Sequence, residues 1–358
     1  MPRRPMLVAG AGLGVAALVV SVVWWWTQQL DASGVVSPFA QTTPVETIDD
    51  AADDPAIWVH PRIPERSVVL GTDKKKGLAA YDLSGQLLQF LPLGAVNNVD
   101  LRQSVLWAGR SIDLAVASNR DSRSIDLVTL GADGLMAKLG SIPVTLPDVY
   151  GICITKNPAG EAEILINSKT GKTQHWGLKL EKGQPTGALL NEFLLGSQIE
   201  GCVVDDARRQ LYVGEEGVGI WRFSLQSPAD APVLVLGVGQ ALVADVEGLA
   251  LVARGNASPW LLASSQGDSH FVLIETDAPF KVLGRFRVGE DVKRGIDAVH
   301  QTDGLEVITS PLGEALPRGL LVVQDGTPSK PNGTQNFKLV NWASVEAALG
   351  LSSAPQTR

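Results

Sequence analysis

The sequence predicts an all-β protein, a six-bladed β-propeller, behind an N-terminal signal or anchor helix. Three observations carry this expectation. Apolar runs are short and broken by Gly, Asp, Asn and Pro; two series of matched positions recur about every fifty residues; and behind residue 44 no long 3.6-residue periodicity appears before Trp342–Leu351, which reads as a short terminal helix. Short strands at even spacing argue for an all-β fold, and a period of this length is the signature of a repeat architecture.

The first element is the N-terminal run. Arg3 and Arg4 precede 21 uncharged residues, Met6–Trp26, which end in three tryptophans. That length spans a bilayer as a helix, and aromatic residues favour its interface. A cleavable signal has a shorter apolar core followed by a small-x-small site; here Ala32 is small but Leu30 is not. The reading favours an uncleaved anchor over a signal peptide, with the remainder exported to the periplasmic or extracellular side. Residues 1–30 are then the anchor, 31–44 a polar linker, 45–348 the propeller and 349–358 a tail.

Composition narrows the partners. Hydrophobic residues make up 45% of the 358, enough for a large core, and the net charge is −8. An acidic chain is a poor nucleic-acid binder and repels an acidic substrate unless metal ions intervene. A closed propeller has no obligatory partner, so a monomer is expected that meets the membrane only through its N-terminal segment. The two cysteines, Cys153 and Cys202, are no disulfide framework. Each sits in an apolar run, and two buried thiols are preferred over a single bridge.

The blades follow from the two series. The first runs Asp54, Asp100, Tyr150, Glu200, Glu247 and Asp303, with spacings of 46, 50, 50, 47 and 56. The second marks the polar turn after an apolar run: Lys74, Arg120, Lys169, Glu216, Gln266 and Gln324, with spacings of 46, 49, 47, 50 and 58. Six members in each series predict six blades around an axis, where equivalent positions converge. The early blades bring a basic arc of Lys74, Arg120 and Lys169 with Tyr150. The later ones bring Glu200, Glu215, Glu216, Asp245, Glu247 and Asp303, while Asp53, Asp54, Asn97, Asn98 and Asp100 stand at blade starts. Singly, DDAADDP (49–55) or GEEG (214–217) reads as turn chemistry; in register, the acids demand a counter-charge. Oxygen donors of this kind suit calcium, whereas His60, His175, His270 and His300 show no zinc spacing. Bound calcium beside a basic arc suits a substrate with many phosphates.

These residues resemble the β-propeller phytases. The matching segments are DDPAIWVHP (53–61), GTDKKKGLAAYDLSG (71–85), NNVDLR (97–102), ASNR (117–120), YGIC (150–153), QIEGCVVDD (198–206), LYVGEEGVGIWRFS (211–224), ADVEGL (244–249), LLASSQGDS (261–269), TDGLEV (302–307), GLLVVQDG (319–326) and NFKLVNW (336–342). The resemblance implies a calcium-dependent phosphomonoesterase acting on inositol hexakisphosphate (phytate) or other inositol polyphosphates, by in-line attack of a calcium-activated water, with several calcium ions. It implies that Lys74, Arg120, Tyr150 and Lys169 bind phosphate. It implies that Asp54, Glu200, Glu216, Asp245, Glu247, Gln266 and Asp303 bind calcium or its waters, Glu215 being counted with that acidic cluster. Asn98, Asp100 and Asp325 belong by the same resemblance to calcium sites that support stability. One departure is Gln301, where members of the family often carry an acid two residues before the Asp of TDG; the long apolar N-terminal run is the other. No Arg-His-Gly-x-Arg or Gly-x-Ser-x-Gly segment offers another phosphatase or hydrolase route. Two further readings stay open: a different six-bladed calcium hydrolase such as a lactonase, which needs no basic arc, and a non-catalytic calcium-binding cell-surface propeller.

Overall fold

The computed structural model describes residues 33–329 and 333–351. The anchor expected over 1–30 lies outside them, and among the described residues no helix is long and apolar enough to cross a membrane. Two short strands come first, β1 (Ser33–Val36) and β2 (Ala40–Gln41). Blade 1 is β3 (Ala52–Trp58), β4 (Val68–Asp73), β5 (Gly77–Tyr81) and β6 (Leu87–Pro92). Blade 2 is β7 (Val96–Trp107), β8 (Arg110–Asn119), β9 (Ser124–Leu130) and β10 (Met136–Pro143). Blade 3 is β11 (Ile152–Lys156), β12 (Ala162–Asn167), β13 (Lys172–Glu181) and β14 (Gln184–Leu194). Blade 4 is β15 (Ile199–Asp205), β16 (Gln210–Glu215), β17 (Gly219–Ser224) and β18 (Val233–Gly237). Blade 5 is β19 (Val246–Arg254), β20 (Ala257–Ser265), β21 (His270–Glu275) and β22 (Val282–Val288). Blade 6 is β23 (Leu305–Ile308), β24 (Leu320–Asp325) and β25 (Asn336–Asn341), followed by α1 (Trp342–Ala348), whose N-cap is Asn341.

These strands form six separate sheets, each built on an antiparallel meander of consecutive strands. The six-bladed expectation holds; the linker does not. β2 pairs antiparallel with β25 and supplies the fourth strand of blade 6, and β1 lies parallel on β22 at the rim of blade 5. The first two described strands therefore lock the ring against its last two blades, and β23 packs against β3 to complete it. The polar composition of 31–44 looked like a linker because an edge strand of two residues carries no periodicity. In the expected tail, Leu349 and Leu351 pack on the core.

The core is divided into six apolar clusters, and each fills the seam between two neighbouring blades. Trp58, Leu70 and Leu78 of blade 1 meet Val99 and Val128 of blade 2; Val323 and Trp342 close the seam between blades 6 and 5. Strands buried on both faces therefore read as continuous apolar runs rather than alternating ones.

Cys153 on β11 and Cys202 on β15 are bonded to each other, which corrects the reading as two thiols. Their separation of 49 residues is one blade period, so they stand side by side on neighbouring inner strands, 5.8 Å apart at Cα. Closing a loop of 49 residues removes unfolded-state entropy worth about 4 kcal/mol. Reductant, or Cys202→Ser, is expected to lower the melting temperature by several degrees. An unchanged melt would show that the bridge contributes little.

Candidate active site

A single local irregularity, repeated around the ring, builds the axial site. The ladder register slips on the inner strand of four blades: between Ala52 and Pro55, Val96 and Val99, Ile199 and Cys202, and Val246 and Leu249. A bulge of this kind frees two residues from pairing and re-aims their side chains. The freed pairs are Asp53-Asp54, Asn97-Asn98, Glu200-Gly201 and Glu247-Gly248, which hold three members of the first series, Asp54, Glu200 and Glu247. The glycine of the repeated dipeptide has a matching cause. A Cβ on Gly151 would stand 1.9 Å from the Glu200 carbonyl oxygen, and one on Gly201 would stand 1.8 Å from that of Glu247. Only glycine lets one inner strand approach the next so closely.

The second series also lies in register. The backbone N–H of Lys74, Arg120, Glu216, Gln266 and Gln324 each donates to a carbonyl of its own blade's first strand or the approach to it, at Ala51, Ala95, Gln198, Asp245 and Gly304. The two series therefore meet at one mouth of the axis, in a cleft of about 680 Å³. Of the sequence-predicted residues, Lys74, Tyr150, Glu200, Glu216, Asp245, Glu247, Gln266 and Asp303 line it. Lys74 is the central cation, 2.6 Å from Asp50, 3.0 Å from Asp53 and 3.4 Å from Asp303. Burial works against its charge, but Asp53 and Asp303 outweigh it, so Lys74 stays protonated well above the usual lysine range. Arg120 donates to the Lys74 carbonyl at 2.6 Å and so fixes the Lys74 turn. Lys169 lies over the Tyr150 ring with its ammonium 4.2 Å from the centroid.

In the same cleft, Glu200, Glu216 and Glu247 each bring an oxygen within 4.8 Å of the others, all three buried. Burial, Asp53 and Glu247 push Glu200 far above the carboxylate range. Burial chiefly pushes Glu247 up to about 8. Asp303 is raised well above its ordinary value by burial and Asp53, and Glu216 is raised by burial. Tyr150 is held protonated by burial and by Glu200 and Glu247. Carboxylates crowded out of water hold protons because their charge has no counter-ion. Glu247 Oε2 and Asn97 Oδ1 are buried without a hydrogen-bond partner. An all-oxygen donor set with partnerless buried oxygens fits a hard divalent cation such as calcium.

Asp54, Asn98 and Asp100 occupy the narrow axis beneath the cleft, together with Glu306, rather than the cleft itself. Asp54 is raised by burial and Asp53; Asp100 is raised by burial, which Arg102 only partly offsets. Two predicted ligands stand elsewhere. Glu215 accepts from Ser197 Oγ and from Trp221 Nε1, both at 2.7 Å, so its oxygens are used within the blades. Asp325 is paired with the buried Lys338 ammonium at 2.9 Å. In each case adjacent residues of a strand end face opposite sides, and the neighbour, Glu216 or Gln324, is the one turned to the axis.

The structure adds residues that the predicted set omits. Asn97 donates to Asp53 at 3.0 Å and Glu200 at 2.5 Å, tying the basic and acidic halves together. Gln198 donates to Glu216 at 2.8 Å. Asp50 and Gln301 line the cleft. The bulge dipeptides DD and NN signalled Asp53 and Asn97; nothing in the sequence singled out Gln198.

Comparison with known proteins gives two findings. A family model described as Phytase matches residues 6–355. The chain is 35% identical over 364 aligned residues to the 3-phytase of Bacillus subtilis (strain 168), covering 98% of this chain and 94% of that protein.

Proposed function

This chain belongs to the phytase family and is an enzyme of it, and from that premise we propose that it hydrolyses phytate to lower inositol phosphates and inorganic phosphate with calcium in its axial cleft. The observation that carries this reading is the placing of three buried carboxylates and one fixed ammonium in one cleft. A site for a neutral ester or lactone has no use for Lys74. A phosphate-rich substrate needs both halves: cations for its oxygens, and acids that hold the metal and keep the empty cleft from being a permanent anion trap.

The chain's own residues divide the work. Lys74 offers a protonated donor to a phosphate oxygen, and Arg120 fixes the turn that presents it. Tyr150 stays a phenol and can donate without losing its proton. Lys169 offers a second ammonium beside it, so that a neighbouring phosphate of the same inositol ring can be held. Asn97 and Gln198 keep the carboxylates aimed inward. Bound calcium supplies positive charge for the phosphate oxygens and lowers the pKa of water in the site. The reaction adds water across one ester bond: the water oxygen joins phosphorus, and the inositol oxygen leaves and takes a proton.

We place the enzyme outside the cytoplasm, supported by the apolar run Met6–Trp26 behind Arg3-Arg4 and by the disulfide, which persists in oxidising compartments. The test of function is phosphate release from phytate by the folded, calcium-loaded protein. Release supports the proposal. Tight binding of calcium and phytate without release would overturn it in favour of a non-catalytic propeller.

A further inference from the structure

We propose that the Lys338 ammonium is a resident cation at the seam of blades 5 and 6, holding in place of a metal ion the two loops that wall one side of the cleft. Lys338 is wholly buried, with 0% of its side chain exposed. Its Nζ lies 2.9 Å from each of four oxygens: Gln41 Oε1, Asp297 Oδ1, Asn336 Oδ1 and Asp325 Oδ2. Strand register explains the convergence. Gln41 stands opposite Lys338 on β2, Asn336 is two residues earlier on the same face of β25, and Asp325 is opposite Asn336 on β24. An ammonium has three N–H groups for these four acceptors, and the contact with Asp325 Oδ2 is held by charge without hydrogen-bond geometry.

Both carboxylates also reach outward. The other oxygen of Asp325 accepts from the His300 N–H at 3.2 Å, and Asp297 Oδ2 accepts from Ser329 Oγ at 3.0 Å and from the Ser329 N–H. One loop leads through Gln301 to Asp303; the other carries Thr327 and Pro328, and these line the cleft. Removing either partner of a buried pair leaves an uncompensated charge, so the node is strongly constrained. A tethered ammonium, unlike an ion, cannot be diluted or chelated away. This wall therefore stays ordered when free calcium is scarce.

The test is a calcium count and a melt on the full-length protein, with Lys338→Ala beside the parent. The variant removes the ammonium and leaves a space ringed by four oxygens, two of them carboxylate. It is expected to bind one more calcium per chain than the parent. Its melting temperature should fall by about 10 °C in chelator and recover most of that loss in calcium. Lys338→Met, which removes the charge and keeps the space filled, should melt lower with no extra calcium and no recovery. An alanine variant that binds no extra calcium, or that loses the same stability with and without it, overturns the proposal. So does a methionine variant that melts like the parent. The readout is binding and melting rather than phosphate release, so it stands apart from the phytase reading.

Discussion

Chelating calcium is expected to bring phosphate release from phytate down to background, calcium to restore it, and the chelated protein to become less stable as pH rises. The cause is the same crowd of acids. Without a counter-ion Glu247 is pushed up to about 8, chiefly by burial, and Glu200 and Asp303 are raised as well. The ordinary Glu value is 4.5, so between there and about pH 8 the folded chain holds protons that the unfolded chain has released. Stability falls with pH wherever the folded state binds more protons. In chelator it should therefore decline from about pH 4.5 to 8, by an amount on the order of a few kcal/mol. Calcium reverses the trend, because its ligands must be deprotonated and its affinity rises as the protons leave. Thermal melts from pH 5 to 9, with calcium and with chelator, should show a gap that widens toward pH 8. A gap independent of pH would mean that Glu200 and Glu247 do not share the ion.

Lys74→Met is expected to lower kcat/KM for phytate by roughly a hundredfold to a thousandfold, the loss typical of one preorganised charged donor aimed at developing negative charge. Lys74 is buried and held by Asp50, Asp53 and Asp303, so it has no freedom to be replaced by a mobile surface lysine. The change leaves Asp53 and Asp303 without their shared cation, and some stability goes with it. A melt must therefore confirm that the variant is folded at the assay temperature. Steady-state kinetics at saturating calcium then read the effect. A loss of less than about fivefold would place the phosphate elsewhere in the cleft, nearer Lys169.

The inner-strand bulges explain why so much of the site could be read from the chain. Asp53-Asp54, Asn97-Asn98, Glu200-Gly201 and Glu247-Gly248 fall at blade spacing because four of the six blades repeat one backbone irregularity. A repeat in geometry leaves a repeat in composition. The same period separates Cys153 from Cys202, yet apolar neighbours suit a thiol and a disulfide alike, and only the closeness of β11 to β15 decides between them. The pairing of Lys338 with Asp325 was less visible still. Asp325 follows an apolar run just as Lys74 does, and nothing local tells an acid facing the axis from one facing a buried lysine.

What the sequence by itself determined is the periodic part: six blades, acidic and basic positions recurring at the blade spacing, and residue types that suit a cation and phosphate site. Those properties depend on spacing and chemistry, which a one-dimensional chain carries in full. The tertiary structure alone decided which member of each adjacent pair faces the axis, Glu216 rather than Glu215 and Gln324 rather than Asp325. It also assigned 33–36 and 40–41 to the closing blades and brought Gln41 to Lys338 across 297 residues. The physical reason is that side chains alternate between faces residue by residue and ring closure pairs β1 and β2 with strands of the last two blades. Both depend on register between strands far apart in sequence, which no local pattern records.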